Sequence, residues 1–187
     1  MIYILPTDTC YWIATPIDDI KNYEKIYKIK KRSFDKPLAI MVENFKWLED
    51  NTDLNWEQIS FLENYDKPFT ILCDSSYLKI WLNFVNEDSW EEFINRWVYD
   101  KIAFRVANNK TQKKITKSHW PIFLTSANIS NEKEIYSSKE INEKFEYYLE
   151  KKIVTFVWEN TWNLKWEKPS EIFEFEWDST EQIFIRK

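Results

Sequence analysis

The chain predicts an α/β sandwich around a mixed sheet, and three observations carry that prediction. Short apolar runs alternate with helix-length amphipathic stretches, the arrangement of a sheet covered by helices. No low-complexity linker, internal repeat or shift of composition divides the 187 residues, a length that one core can serve. Polar clusters fall directly after apolar runs, where α/β folds bind ligands beyond the carboxyl ends of strands. One domain over residues 1–187 is expected.

Each element has its own signal. Ile2–Leu5 is an apolar run ended by Pro6 and reads as a buried strand. Asp18–Lys31 carries Ile20, Tyr23, Ile26 and Tyr27 at helical spacing, with acids early and bases late to match the helix dipole. Leu38–Val42 is strand-like, Asn55–Tyr65 is helical with Ile59 and Leu62 inward, and Phe69–Cys73 is a strand. Ser89–Val98 reads as a helix and Lys101–Val106 as a strand. Ile122–Thr125 and Ile153–Val157 are strands separated by a helix at Ser138–Lys151. Glu171–Phe175 and Gln182–Ile185 alternate and pair through a turn at Trp177-Asp178.

The composition is abnormal in one respect: there is no glycine, and there are eleven tryptophans. At the usual frequency of about 7%, roughly a dozen glycines are expected. Turns, helix C-caps and close backbone approaches all use a residue without Cβ. Trp120, in His119-Trp120-Pro121, stands at such a place. So do Trp158, Trp162 and Trp166, four apart in a polar run. An AT-rich gene depletes glycine codons but depletes the tryptophan codon as well. The reading that fits is a gene in which UGA encodes glycine, most tryptophans standing for glycine. Trp47 and Trp56, in helix-like contexts, are the candidates for genuine tryptophan.

Bulk numbers exclude several classes. The net charge of −5 argues against the basic footprint of a nucleic-acid binder, so direct nucleic-acid binding is not expected. Cys10 and Cys73 lack a paired spacing and are expected as free thiols in a reducing cytosol. His119 is the single histidine, which leaves neither a His-rich zinc site nor a Ser-His-Asp triad; no metal ligand is assigned. No apolar run reaches the ~20 residues of a membrane helix, and no signal peptide precedes the first strand. A cytoplasmic location follows as the expectation, with no membrane partner.

Four constellations are candidates for chemistry. Pro6-Thr7-Asp8-Thr9-Cys10-Tyr11-Trp12, after the first strand, offers hydroxyls, a carboxylate and a phenol to a small polar substrate. By spacing alone it reads first as a capped turn. Lys28-Ile29-Lys30-Lys31-Arg32 closes the next helix and leads into Asp35-Lys36-Pro37-Leu38. Bases there complement the helix dipole, while a Lys and an Arg two apart also reach one phosphate, the Arg bidentately. Thr125-Ser126-Ala127-Asn128-Ile129-Ser130 follows a strand and reads either as a turn or as a phosphate and ribose site. Lys168-Pro169-Ser170 has the same ambiguity. Even with every Trp turned to Gly, neither a G-x-x-x-x-G-K-[ST] loop nor a G-x-G-x-x-G turn appears.

In order, these segments resemble the YrdC/Sua5 family, the threonylcarbamoyl-AMP synthases. The resemblance rests on Pro6 to Ile13, Lys30-Lys31-Arg32, Asp35 to Leu38, Arg105-Val106, Thr125 to Ser130 and Pro169-Ser170-Glu171-Ile172. It spans nearly the whole chain. Trp12, Trp120 and Trp158 stand where the family pattern has glycine; Lys31 and Ala107 depart from a frequent glycine and a frequent proline. The family's N-terminal helix is missing before the first strand, so a fragment or an upstream start is an open alternative.

The resemblance implies a YrdC/RibB-like three-layer sandwich around a mixed twisted sheet. It also implies synthesis of threonylcarbamoyl-AMP and pyrophosphate from L-threonine, bicarbonate and ATP, for the t6A modification of tRNA, with Mg2+ accompanying ATP. Lys30 and Arg32 are the implied catalytic pair and, with Ser126, Asn128 and Ser170, the ATP site. Thr7, Thr9, Tyr11 and Arg105 are the implied threonine site. With tryptophan at position 12, an indole is expected to crowd the substrate loop and impair the enzyme. The t6A transfer machinery is the implied partner. Two alternatives stay open: a paralogue that binds nucleotide or RNA without adenylate synthesis, and another enzyme on a related fold, such as a carbamoyl-transfer module or a sugar-phosphate lyase.

Overall fold

Nine strands form one mixed sheet: β1 (Ile2–Pro6), β2 (Tyr11–Pro16), β3 (Ala39–Val42), β4 (Phe69–Asp74), β5 (Lys101–Val106), β6 (Ile122–Ser126), β7 (Val154–Phe156), β8 (Glu171–Phe175) and β9 (Gln182–Arg186). Among the described residues five helices accompany them: α1 (Ile20–Lys30), α2 (Phe45–Asn51), α3 (Trp56–Glu63), α4 (Lys110–His119) and α5 (Ser138–Glu150). These elements belong to a computed structural model that describes residues 1–74, 101–119, 121–157 and 169–187. The strand order is β7-β1-β2-β6-β3-β5-β4-β8-β9. Three neighbouring pairs are parallel (β1 with β7, β3 with β5, β4 with β8), and the other five are antiparallel. The α/β reading is correct.

Period-two alternation divides the sheet cleanly. Ile4, Ile13, Ile40, Val42, Phe104 and Phe123 point to one face, where they pack on residues of α1, α2, α3 and α5. Leu5, Ala14, Met41, Ile122 and Leu124 point to the other face, where α4 contributes Ile115. The first cluster is the main core. The second is small and leaves part of its face for a cavity.

The helix termini show why these segments stop where they do. Asp19, Asn44, Asn55 and Ser137 cap α1, α2, α3 and α5, each accepting a hydrogen bond from a first-turn N–H. Asn55 and Gln58 complete a reciprocal capping box. Lys31 ends α1 in the left-handed conformation at φ 50°, at a position where the family pattern has glycine. Among the described residues no helix is long and apolar enough to cross a membrane.

Three elements are additions to the sequence reading. β2 was hidden because the polar segment before it reads as one extended loop; it is a four-residue turn, and Pro6 already pairs with Tyr11. α2 has only seven residues, too few to show a period. α4 (KTQKKITKSH) buries only Gln112, Ile115 and Thr116, so its apolar stripe is nearly absent. The expected helix Ser89–Val98, Trp120 and the run from Trp158 to Trp166 lie outside the described residues.

The tail hairpin forms as expected. β8 and β9 pair antiparallel, and Trp177 occupies the turn at φ 52° with 90% of its surface exposed. A bulky side chain is unusual in that region of backbone space. Its carbonyl, with that of Ser179, accepts from Gln58 Nε2, tying the turn to α3.

Candidate active site

The β1–β2 turn is built by one threonine. Thr7 Oγ1 accepts from the Thr9 and Cys10 amides and donates to the Cys10 carbonyl at 2.7 Å, so its hydrogen-bonding capacity is spent locally. Thr9 Oγ1 lies 3.1 Å from Thr7 Oγ1 and accepts from Trp12 Nε1 at 3.2 Å. The turn is therefore both capped and functional in position: Thr9 and Cys10 line a cavity of about 210 Å³.

That cavity lies on the face less covered among the described residues. Its floor is paved with Ala39, Ala103, Thr70 and Ile172 from the sheet, and Ser126, Ser170, Arg32, Glu134 and Arg186 stand around it. Small residues on the floor keep the strands accessible, whereas the same strands carry Ile40, Ile71 and Phe104 toward the helices.

The loop after β6 is held from behind. Lys30, only 1% exposed, donates through Nζ to the carbonyl of Ser126, to the carbonyl of Asn128 at 2.5 Å and to Asn128 Oδ1 at 3.4 Å. Ser126 Oγ donates to Asn128 Oδ1 at 2.5 Å, and Asn128 Nδ2 donates to the Glu132 carbonyl at 2.6 Å. The Ala127 amide donates to the Tyr11 carbonyl and the Ser130 amide to the Lys30 carbonyl, each at 2.8 Å. Burial, and then the neighbouring Arg32 charge, pull the Lys30 ammonium down to about 7. Its three oxygen acceptors act in the opposite sense, because a neutral amine has only two hydrogens to give.

Two arginines face the cavity in different ways. Arg32 Nε and Nη2 donate to the carbonyls of Lys36 and Pro37 at 2.9 and 3.0 Å, which sets the guanidinium at the rim. Arg186 donates from Nε and Nη2 to the Ser170 carbonyl at 3.0 and 2.8 Å. Ser170 Oγ lies 3.0 Å from Thr70 Oγ1. Burial lowers the pKa of Arg186 and pushes the Cys10 thiol up to about 11; a guanidinium nevertheless stays charged.

A second cavity of about 600 Å³ is lined by Thr7, Asp8, Arg105, Asn108, Asn109 and Lys113, among others. Arg105 pairs with Asp8, and among the described residues its Nε and Nη1 are buried without a hydrogen-bond partner. Its guanidinium carbon lies 4.9 Å from the centroid of the Trp12 ring. Arg105 thus keeps donors in reserve, an arrangement suited to an anion.

The expected site residues therefore separate into groups. Thr9, Arg32, Ser126 and Ser170 meet around the smaller cavity, and Thr7 and Arg105 line the larger one. Lys30 and Asn128 stand behind the Ser126 loop rather than at the cavity surface. Tyr11 points to the opposite face, packed edge-on against Phe156 in the main core. The alternation of β2 puts it there. Arg186 and Glu134 are site residues that the sequence reading did not single out, while Asp8 is the carboxylate of the first constellation. Arg186 enters only through the hairpin register that pairs it with Ile172, which no local pattern displays.

Among the described residues no group of three or more His, Cys, Asp or Glu side chains gathers to hold a metal ion. Glu134 is the carboxylate at the smaller cavity. That fits Mg2+ held chiefly through phosphate oxygens, an ion that commonly takes one or two carboxylates.

Fold and site together define an α/β domain with an arginine- and hydroxyl-lined cavity on one face of a mixed sheet. The Sua5/YciO/YrdC family model, described as telomere recombination, matches residues 1–187. The chain belongs to this family. A threonylcarbamoyl-AMP synthase of Pseudoalteromonas translucida is 24% identical over 152 residues, which cover 77% of this chain and 73% of that protein. P. abyssi Sua5, in a crystal structure complexed with L-threonine, superposes with a TM-score of 0.72 at 22% identity over 99% of this chain and 49% of that one. This chain thus spans about half the length of P. abyssi Sua5. E. coli YciO superposes with a TM-score of 0.69 at 17% identity, covering 100% of this chain and 82% of that one.

Proposed function

We propose that this protein is an L-threonylcarbamoyladenylate synthase acting on L-threonine, bicarbonate and ATP, in service of the t6A modification of tRNA. The observation that carries the reading is the grouping of Arg32, Arg186, Ser126, Ser170 and Thr9 around one cavity on the open face of the sheet. Membership of the family and the name of the P. translucida relative support it.

The reaction has two bond-making steps. The threonine amine and bicarbonate give the carbamate and water, and a carbamate oxygen then attacks the α-phosphorus as pyrophosphate leaves. Both steps bring anions together, so placement and cationic groups carry most of the catalysis. Arg186 and Arg32 hold phosphate oxygens, with the Ser170 hydroxyl beside them and Ser126, its hydrogen held by Asn128 Oδ1, shaping the wall. Arg105, with its unused donors, takes the threonine carboxylate, and Thr9 orients the amino acid. Lys30 acts through the Ser126–Asn128 loop as a positioning residue. Mg2+ accompanying ATP would supply charge neutralisation at the phosphates, and Glu134 is the carboxylate that would hold it.

Pyrophosphate release from ATP tests the reading. Release that requires both threonine and bicarbonate is the expected result. Nucleotide binding by both the parent chain and Trp12→Gly without any response to threonine overturns it and leaves the paralogue that binds nucleotide alone. Turnover of carbamoyl phosphate in place of threonine and bicarbonate identifies a carbamoyl-transfer module instead.

A further inference from the structure

Trp12 stands in β2 between Leu5 and Ser126, so its side chain shares the open face of the sheet with the substrate cavity. The indole is only partly buried. Its Nε1 donates to Thr9 Oγ1, and its ring covers the Arg105 guanidinium at 4.9 Å. One side chain therefore occupies the free acceptor of Thr9 and one face of Arg105. Both groups are ones a polar substrate needs.

The volumes say the same. The cavity that Trp12 lines measures about 210 Å³, below the ~300–1,000 Å³ typical of small-molecule sites. The neighbouring cavity of about 600 Å³ is lined by Arg105 and Thr7. Trp12 touches Arg105, and Thr9 touches Thr7 at 3.1 Å. The Trp12–Arg105 contact thus stands between the two cavities, the indole lining the smaller and the guanidinium the larger. Elsewhere, Trp177 holds a left-handed turn at φ 52°, and Trp47 is buried with its Nε1 unpartnered among the described residues. The first is a further place where an indole is poorly served, whereas Trp47 packs against Phe104 in the main core.

We propose that the Trp12 indole is the partition that closes the substrate cavity, and that glycine at this position joins the two cavities and admits an amino acid beside a nucleotide. The closure stands on geometry alone; the identification of the admitted amino acid as threonine rests on the synthase reading. It also gives the glycine-for-tryptophan reading of the gene a specific position at which to be judged.

Cys10 offers a readout that needs no ligand, because it lines the same cavity and is buried. Cys73 is buried on the helix-covered face and serves as the control. The experiment measures labelling of both thiols by methyl methanethiosulfonate, resolved by peptide mass spectrometry, in the parent chain and in Trp12→Gly, Trp12→Ala and Trp12→Phe. Trp12→Ala covers the case in which a glycine in β2 prevents folding. Labelling of Cys10 is expected to rise at least about tenfold in the Gly and Ala variants, since thiol reactivity follows exposure. It stays near the parent rate in Trp12→Phe, and Cys73 does not change. Equal Cys10 rates in all four proteins, or a parallel rise at Cys73, overturn the proposal. Threonine-dependent pyrophosphate release is measured on the same samples. A rise at Cys10 without that release upholds the partition and overturns the synthase reading. A rise with release confined to the opened variants supports both.

Discussion

The two faces of the sheet use the same strands for opposite purposes. On the covered face, Ile40, Ile71, Phe104 and Phe173 interdigitate with four helices, and size is what each position needs. On the open face the neighbours of those residues in sequence are Ala39, Thr70, Ala103 and Ile172, and the large groups include the Trp12 indole and the arginines at the margins. A strand's alternation thus separates packing from binding residue by residue. A substitution on one face is expected to act on stability, and one on the other face on ligand binding.

The largest effect is expected where the covered face is thickest. Phe104→Ala, in the centre of the main core, lowers unfolding free energy by about 3–5 kcal/mol in urea titrations. Next comes Lys30→Met, which joins the two faces. Removing the ammonium leaves the carbonyls of Ser126 and Asn128 buried without their donor, at about 1–3 kcal/mol each. Both the urea midpoint and ATP affinity, read by calorimetry, are expected to fall. A loss of stability with ATP affinity intact contradicts the positioning role.

Arg186→Lys isolates the open face. It keeps the charge but loses the paired donation to the Ser170 carbonyl. ATP affinity is expected to fall about tenfold, roughly 1.4 kcal/mol, with the melting temperature little changed.

The smallest effect tests a charge beside the core. Glu171 accepts from Tyr65 Oη and from Lys67 Nζ, the latter at 2.9 Å. The Tyr65 hydrogen bond, followed by Lys67, holds its carboxyl below the usual range. The folded state then binds fewer protons than the unfolded chain around and below the ordinary value of about 4.3–4.5. Its contribution is complete above that range and disappears as pH falls through the lowered folded value. Melting temperatures between pH 7 and pH 3 should show this acid loss. Glu171→Gln should flatten it by less than about 1 kcal/mol, as for partly exposed pairs.

Much of the covered face was legible along the chain because its signals are local. The apolar runs at Ile2–Leu5, Leu38–Val42 and Lys101–Val106 and the helical stripe from Ile20 to Tyr27 coincide with β1, β3, β5 and α1 to within a residue or two. The open face was legible only in part. Ser126 and Ser170 follow or precede strands visibly, and Thr9 lies in a recognisable turn. Tyr11 reads as a site residue until its strand is known; the alternation of β2 then sends it into the core.

The sequence by itself determined the alternation of strands and helices and the absence of glycine beside eleven tryptophans. Each is written in spacing or composition within a few residues. The tertiary structure alone decided the strand order, the reach of Lys30 across 98 positions to Asn128, the pairing of Arg186 with Ser170, and the position of the Trp12 indole over Arg105. These depend on which strands become neighbours. That is settled by burying both faces of one sheet at once, not by any local preference.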